Sequence, residues 1–364
     1  MDENKVMKFS VVEPNRVYVP EYTESTSGRQ YVFWGEDNQF PLHINDMYKG
    51  SATLRAVIDG TVKYICGNGI SLSPEAMAWE KEINRRGETL EDLIEQTSTD
   101  MLKYNGFAIQ IIYNKMGAVK ELYALDFGRC RVSADFRKVY YAKKWGQYTA
   151  KFDEYDAFDR DHIDMKKMTQ IFWYKGAART IYPLPTWEGA FRDCLAEIAA
   201  SKYVLNNMAN GLAAKTIITI PNTSGLMTED EKKAVETSIK TKFTGPDADS
   251  SFFLYFKTET GEEMKVDKIE VQDESEKFEK IKESARENIF ISFRATPALF
   301  GLPNKNNGFT QQEFMEAFRL YQKTQVQGYQ KKIERALDKI FATEGGVTIL
   351  PFAMEEENTG TNNG

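Results

Sequence analysis

The sequence predicts an α+β fold, and three observations carry the prediction. Apolar residues recur at helical spacing over residues 90–104, 187–214 and 273–294. Between the first two of these segments the period falls to two, in short runs separated by Asn, Gly and Asp. The chain has 364 residues, 41% hydrophobic and 28% charged, which is enough apolar material to bury a core across about two or three compact units.

The first fifty residues are aromatic and turn-rich, with Tyr18, Pro20, Tyr31, Phe33 and Trp34 ahead of Gly35-Glu36-Asp37-Asn38 and Pro41. They read as short strands and loops leading into one helix over 44–64, ended by Gly67 and Gly69. Ser73 and Pro74 have the order of an N-cap followed by proline at the first helical position, and Gly87 would close that helix. Thr89 opens the next, whose Leu90, Leu93, Thr97, Met101 and Tyr104 share a face until Gly106. Residues 107–113 and 119–125 read as a hairpin turning at Asn114-Lys115-Met116-Gly117, and 131–135, 139–145 and 169–174 as further strands. The acidic stretch 153–164 between them reads as a solvated loop.

From Thr186 the pattern is helical again. Phe191, Leu195, Ile198, Leu205, Met208 and Leu212 form one stripe along 187–214, a helix of roughly 40 Å. A strand over 217–221 stops at its proline, and Thr228 with Glu231 forms a capping box for a helix to Phe243. Residues 252–256 and 263–271 read as strands. The helix over 273–294 carries Phe278, Ile281, Ala285, Ile289 and Phe293 on one face and ends before Pro297. After the polar loop 301–308, a second capping box, Thr310 with Glu313, opens the longest helix, to Phe341. Residues 355–364 form a polar tail without an apolar anchor.

Lys and Arg number 47 against 54 Asp and Glu, a net charge of −7. Phosphate binding rests on clustered cations, so net charge alone makes duplex DNA a transient or repelled neighbour. Cys66, Cys130 and Cys194 have neither disulfide-framework nor zinc spacing and fit a reducing compartment. The first ten residues lack the apolar core of a signal peptide, and no stretch is long and apolar enough to span a bilayer, so no membrane contact is expected. With only His43 and His162, and no nucleophile elbow, acyl-transfer chemistry has no visible place, and no catalytic residue is expected. Gly67-Asn68-Gly69 lacks the third glycine of a dinucleotide fingerprint and follows a helix, not a strand; it reads as a helix end. The carboxylates Asp153, Glu154, Asp156, Asp159, Asp161 and Asp164 are numerous enough to attract a divalent ion, yet lack the glycine and distal glutamate of a calcium loop. No cofactor and no metal is expected. A metal-dependent nuclease or other DNA-packaging enzyme built on that run is the alternative reading.

The order of elements resembles the portal proteins of tailed bacteriophages, the head-to-tail connectors through which DNA enters and leaves the capsid. Asn105-Gly106-Phe107-Ala108 leading to Gly117-Ala118-Val119-Lys120-Glu121-Leu122 is similar to the family's hairpin. Gly35-Glu36-Asp37-Asn38-Gln39-Phe40-Pro41 is similar to a motif of one of its branches. Asn206 to Gly211, followed by a strand and by Leu226-Met227-Thr228-Glu229-Asp230-Glu231, resembles the helix that runs into the clip. Residues 290–301, with Pro297 and Phe300-Gly301, resemble the helix end before the tunnel loop, and 329–337 the final long helix. Little chain remains afterwards for the helical crown that many portals carry.

The resemblance implies a subunit with a mixed α/β wing (1–186), stem helices (187–214 and 273–295), a small α/β clip (215–272) and a tunnel loop (296–309). A long wing helix with a closing strand (310–353) and a polar tail (354–364) would complete it. It implies a homo-oligomeric ring of about twelve subunits at one capsid vertex of the virion, assembled in the host cytoplasm. The implied partners are the major capsid protein, the terminase motor, neck or tail proteins, and double-stranded DNA passing without sequence specificity. Phe278, Ile281, Ile289 and Phe293 would pack the stem, and Asn304, Lys305, Asn306 and Asn307 would face DNA. The assigned clip holds eight lysines and eleven carboxylates, a balance suited to passage of a duplex and not to its retention.

Overall fold

The computed structural model describes residues 19–25, 29–146, 151–209, 217–222, 228, 233, 253–258, 275–302 and 310–353. Two short antiparallel strands, β1 (Glu24–Ser25) and β2 (Phe33–Trp34), lead into α1 (Phe40–Gly50) and α2 (Ala52–Cys66). The single helix expected over 44–64 is therefore two. Ser51 makes the break: its backbone is extended (φ −91°, ψ 114°) and its hydroxyl accepts the Leu54 N–H at 3.1 Å. That cap satisfies one of the free donors at the start of α2. Apolar spacing continues across the break, so periodicity does not reveal it.

β3 (Ile70–Leu72) pairs antiparallel with the last strand of the chain. The helix expected between Ser73 and Gly87 does not form, and the segment holds only a 3-10 turn, Met77–Trp79. The Ser73 N–H donates to Gly346 O, and further on the Ile83 N–H is taken by Glu88 O, each at 2.9 Å; the second bond removes Ile83 from any i→i−4 ladder. α3 (Leu90–Tyr104) opens on a capping box between Thr89 and Asp92, and closes on Asn105 in the left-handed conformation.

Six strands then form one sheet. They are β4 (Gly106–Tyr113), β5 (Val119–Leu125), β6 (Cys130–Val132), β7 (Lys138–Tyr141), β8 (Asp153–Ala157) and β9 (Thr169–Lys175), in spatial order β5-β4-β9-β8-β7-β6. All neighbours run antiparallel except β8 and β9. The expected hairpin is present, with Ile111 opposite Leu122. The strands expected over 131–135 and 139–145 are shorter than predicted. The acidic run is not a loop throughout, because its first five residues are β8. Tyr155 and Ala157 alternate onto the core, while Lys138 on β7 pairs with Glu154 at 3.0 Å and Asp156 at 2.5 Å. Cross-strand lysine thus holds a strand whose own apolar signal is two residues long.

α4 (Phe191–Ala209) follows a 3-10 turn, Glu188–Ala190, so the helix expected from 187 starts at Phe191. β10 (Ile217–Asn222) and β11 (Phe253–Thr258) pair parallel in a two-stranded sheet. β10 runs through Pro221 where a stop was expected; each strand of such a pair has one unpaired side, on which a missing N–H breaks no ladder bond. The helix expected from Thr228 and the strand over 263–271 fall, Thr228 and Lys233 apart, outside the described residues. α5 (Ser275–Ser292) ends on Arg294 in the left-handed conformation (φ 52°), with the Ala295 N–H bonded back to Phe290 O at 3.0 Å. α6 (Gln311–Tyr321) opens on the expected Thr310–Glu313 capping box. It continues through a π-helical stretch, Gln322–Val326, into α7 (Gln327–Phe341), before β12 (Val347–Ile349) closes on β3. Among the described residues no helix is long and apolar enough to cross a membrane.

Candidate functional site

Side-chain contacts arrange α4 and α5 as an antiparallel hairpin. Asp193, near the start of α4, accepts from Asn288 near the end of α5 at 2.9 Å, and Tyr203 stacks on Phe278 with centroids 4.2 Å apart. Glu197 anchors the hairpin to the rest of the subunit. Its carboxylate accepts from the Ser51 hydroxyl, the Thr53 hydroxyl at 2.9 Å and the Thr53 N–H at 3.3 Å, and the N-terminus of α2 is where helix polarity favours a negative charge. Gly50 lets the end of α1 approach: a Cβ there would lie 2.9 Å from Ile198 Cδ1. Cys194, behind this contact, is fully buried, and burial pushes its thiol up to about 12.

The four residues expected to pack the stem separate into different surroundings. Ile289 and Phe293 are buried inside the subunit, Phe293 facing Trp187 with centroids 6.3 Å apart. Phe278 is half-buried against Tyr203. Ile281 remains 42% exposed, and so do Leu205 (65%) and Ile291 (70%). Among the described residues, the hairpin therefore carries large apolar side chains that remain exposed.

The chain leaves α5 through a 3-10 turn, Pro297–Phe300, held on α2. The Tyr64 hydroxyl donates to Leu299 O at 2.5 Å. The Phe300 ring meets Phe290, Tyr64 and Tyr321 with centroids 5.6, 6.1 and 6.3 Å apart. Gly60, inside α2, makes room for that ring, since a Cβ at this position would sit 2.5 Å from Phe300 Cδ1. Asn304, Lys305, Asn306 and Asn307 lie outside the described residues. On the far side the chain resumes at the Thr310 cap and α6, whose Phe318 and Tyr321 are buried. Both flanks of the 303–309 segment are thus fixed by packing.

Three carboxylates of the acidic run, Glu154, Asp156 and Asp159, face basic side chains. Asp156 pairs with Lys138 and, at 3.1 Å, with Lys167, contacts that hold its carboxyl below the usual range. Asp159 faces His162 at 3.0 Å. Among the described residues, no group of three or more His, Cys, Asp or Glu is placed to hold a metal ion.

The family model for phage portal proteins matches residues 71–354. The chain belongs to the phage portal protein family. Solved structures show the same fold for this portal chain. A chain from the virion of a native gene transfer agent particle superposes with a TM-score of 0.55 at 14% identity, covering 90% of this chain and 85% of that one. A chain from the neck of the empty particle, computed with C6 symmetry, gives 0.54 at 14% identity, covering 93% and 87%. A chain from the neck of the native particle, computed with C12 symmetry, gives 0.52 at 15% identity, covering 85% and 83%. Comparison with curated protein sequences finds no match.

Sequence reading singled out the apolar face of α5 but not the residues that hold the portal hairpin in place. Glu197 carries no signal distinguishing it from a solvated helix glutamate. Gly60 does carry one, because a glycine inside an otherwise apolar helix costs about 1 kcal/mol relative to alanine and calls for a packing reason.

Proposed function

We propose that this portal-family chain is one subunit of a ring-shaped channel at a single capsid vertex, through which DNA is packaged and later ejected. The observation that carries this reading is the uncovered apolar surface of the α4–α5 hairpin, within a chain matched by the portal family model over 71–354. Exposed Leu, Ile and Tyr on a rigid two-helix element find cover when identical subunits repeat around an axis. The likeness to a chain from a neck computed with C12 symmetry supports about twelve copies. In this reading α4 and α5 are the stem and residues 215–272 the clip that docks the terminase motor and then neck or tail proteins. The sheet-bearing wing meets the major capsid protein, and residues 296–309 form the tunnel loop, with Asn304, Lys305, Asn306 and Asn307 toward the duplex. The role is mechanical, without catalysis, and its place is the virion after assembly in the host cytoplasm. Electron micrographs of the purified protein test it: rings with a central hole are expected, and a monodisperse monomer at all concentrations would contradict it.

A further inference from the structure

At the start of α1 lies a cavity of about 190 Å³ whose electrostatics run against the acidic character of the chain. Arg131 lines it, only 1% exposed, between Trp34 and Trp145, with its guanidinium 5.6 and 5.0 Å from their ring centres. A buried arginine normally meets a carboxylate. Arg131 has none within ion-pair distance among the described residues. Its Nη1 donates to the carbonyls of Gly128 at 2.9 Å and Cys130 at 2.7 Å, its Nη2 to Asn38 O at 2.7 Å, and its Nε to Asn38 Oδ1. A guanidinium has five N–H donors, so one on Nη2 is left over. The burial of an uncompensated charge pulls this arginine down to about 10.

Asn38 supplies an independent indication. It is fully buried and lines the same cavity, and its backbone is left-handed (φ 61°). Its Oδ1 also accepts the Trp34 N–H at 3.1 Å, which fixes the amide orientation and leaves Nδ2 as a buried donor with no acceptor. Leaving such a donor unmet is unfavourable, and an acceptor inside the cavity would remove the penalty. The N-terminus of α1, an 11-residue helix, adjoins both groups. Its first turn carries no acidic residue, but the Asp37 carboxylate accepts the Gln39 N–H at 2.9 Å and Pro41 has no N–H, so the helix end adds little beside Arg131 and Asn38.

Around the mouth stand Lys49, Lys143 and Lys144, none of them in a salt bridge among the described residues. Arg129 is also there, paired with Asp126, the one carboxylate of the lining, at 3.1 Å. Donors approach from β6, from the loop before α1 and from the 143–144 segment. A tetrahedral oxyanion has acceptors on every side and can answer all of them; a planar carboxylate cannot. We infer that this cavity is a binding site for a phosphate-class oxyanion, either free phosphate or a phosphate of a nucleic-acid backbone.

The test uses the full chain and inorganic phosphate, with sodium chloride at matched ionic strength as the control. Phosphate should raise the melting temperature above the chloride control, and calorimetric titration should show one site per subunit. Lys143→Ala with Lys144→Ala, both at exposed positions, should weaken that binding by about tenfold, the scale of one charge-assisted contact. Asn38→Asp keeps the Oδ1 acceptor and puts a resident negative charge beside Arg131. It should abolish the phosphate response while raising the melting temperature in chloride alone, a gain that mere damage to the fold would not give. A short DNA duplex separates the two sources. Duplex binding lost in Asn38→Asp assigns the site to backbone phosphate, and a phosphate response with duplex binding unchanged assigns it to the free ion. Equal stabilisation by phosphate and chloride, or wild-type phosphate binding by Asn38→Asp, would overturn the inference.

Discussion

Trp34 is enclosed by apolar neighbours from its own chain, while its indole Nε1, like Asn38 Nδ2 beside it, has no hydrogen-bond partner among the described residues. Its ring lies parallel to Tyr182 with centroids 4.5 Å apart and meets Phe127 edge-on at 5.5 Å, and the Tyr182 hydroxyl bonds Val32 O at 2.6 Å. Along α4 and α5, by contrast, Leu205, Ile281 and Ile291 face outward. The first region buries its apolar surface within one chain; the second leaves large apolar side chains exposed, which in the proposed ring a neighbouring subunit covers. In the proposed ring, stability of the subunit and assembly rest on different residues, and substitutions should separate them.

Trp34→Ala should have the largest effect on the subunit itself. Removal of a fully buried indole costs about 3–5 kcal/mol, and chemical denaturation should show it whether or not rings form. Gly60→Val should come next, about 1–3 kcal/mol from forcing a side chain against Phe300. Because Phe300 also sets the approach to residue 303, this variant should impair packaging even at temperatures where the subunit stays folded. Deleting Asn304, Lys305, Asn306 and Asn307 should leave the melting temperature and the rings nearly unchanged while reducing DNA retention or packaging. Lys305→Ala should do so more mildly, lowering the salt slope by about one for each phosphate it no longer neutralises. Full packaging by the deletion variant would leave the segment an ordinary turn. The smallest effect is expected from chelation: EDTA should leave particle size unchanged, and rings that disappear in EDTA and return with calcium would revive a metal site in the 153–164 run.

Much of this architecture was legible in the sequence where one signal dominates locally. Thr89 and the Thr310 capping box mark the starts of α3 and α6, and the alternation on either side of Asn114–Gly117 gives the β4–β5 hairpin, though not the register shift at Ile112/Tyr113. Legibility fails where tertiary contacts decide. The segment after Ser73 has a proper helix start, but its Ile83 N–H is committed to Glu88 O instead of an i→i−4 bond. Asp153–Ala157 is a strand because Lys138 neutralises it from the neighbouring strand, a cause absent from its own residues. In the α4–α5 region the apolar periodicity located the helices, yet it could not separate Ile289, buried within the subunit, from Ile281, which is not. Arg131, one cation between Cys130 and Val132, gave no warning that it would be enclosed with an unmet donor beside it.

The claim that the hairpin is an interface between subunits is tested most directly by particle mass of Ile281→Asp, measured by light scattering beside the wild type. In the isolated subunit the new carboxylate lies at an exposed position and should change the melting temperature little. In the ring it would be a buried unpaired charge, costing several kcal/mol per interface (about 3–5). The expected result is a folded protein of small mass where the wild type gives a large ring. Rings of normal mass from Ile281→Asp would contradict the account.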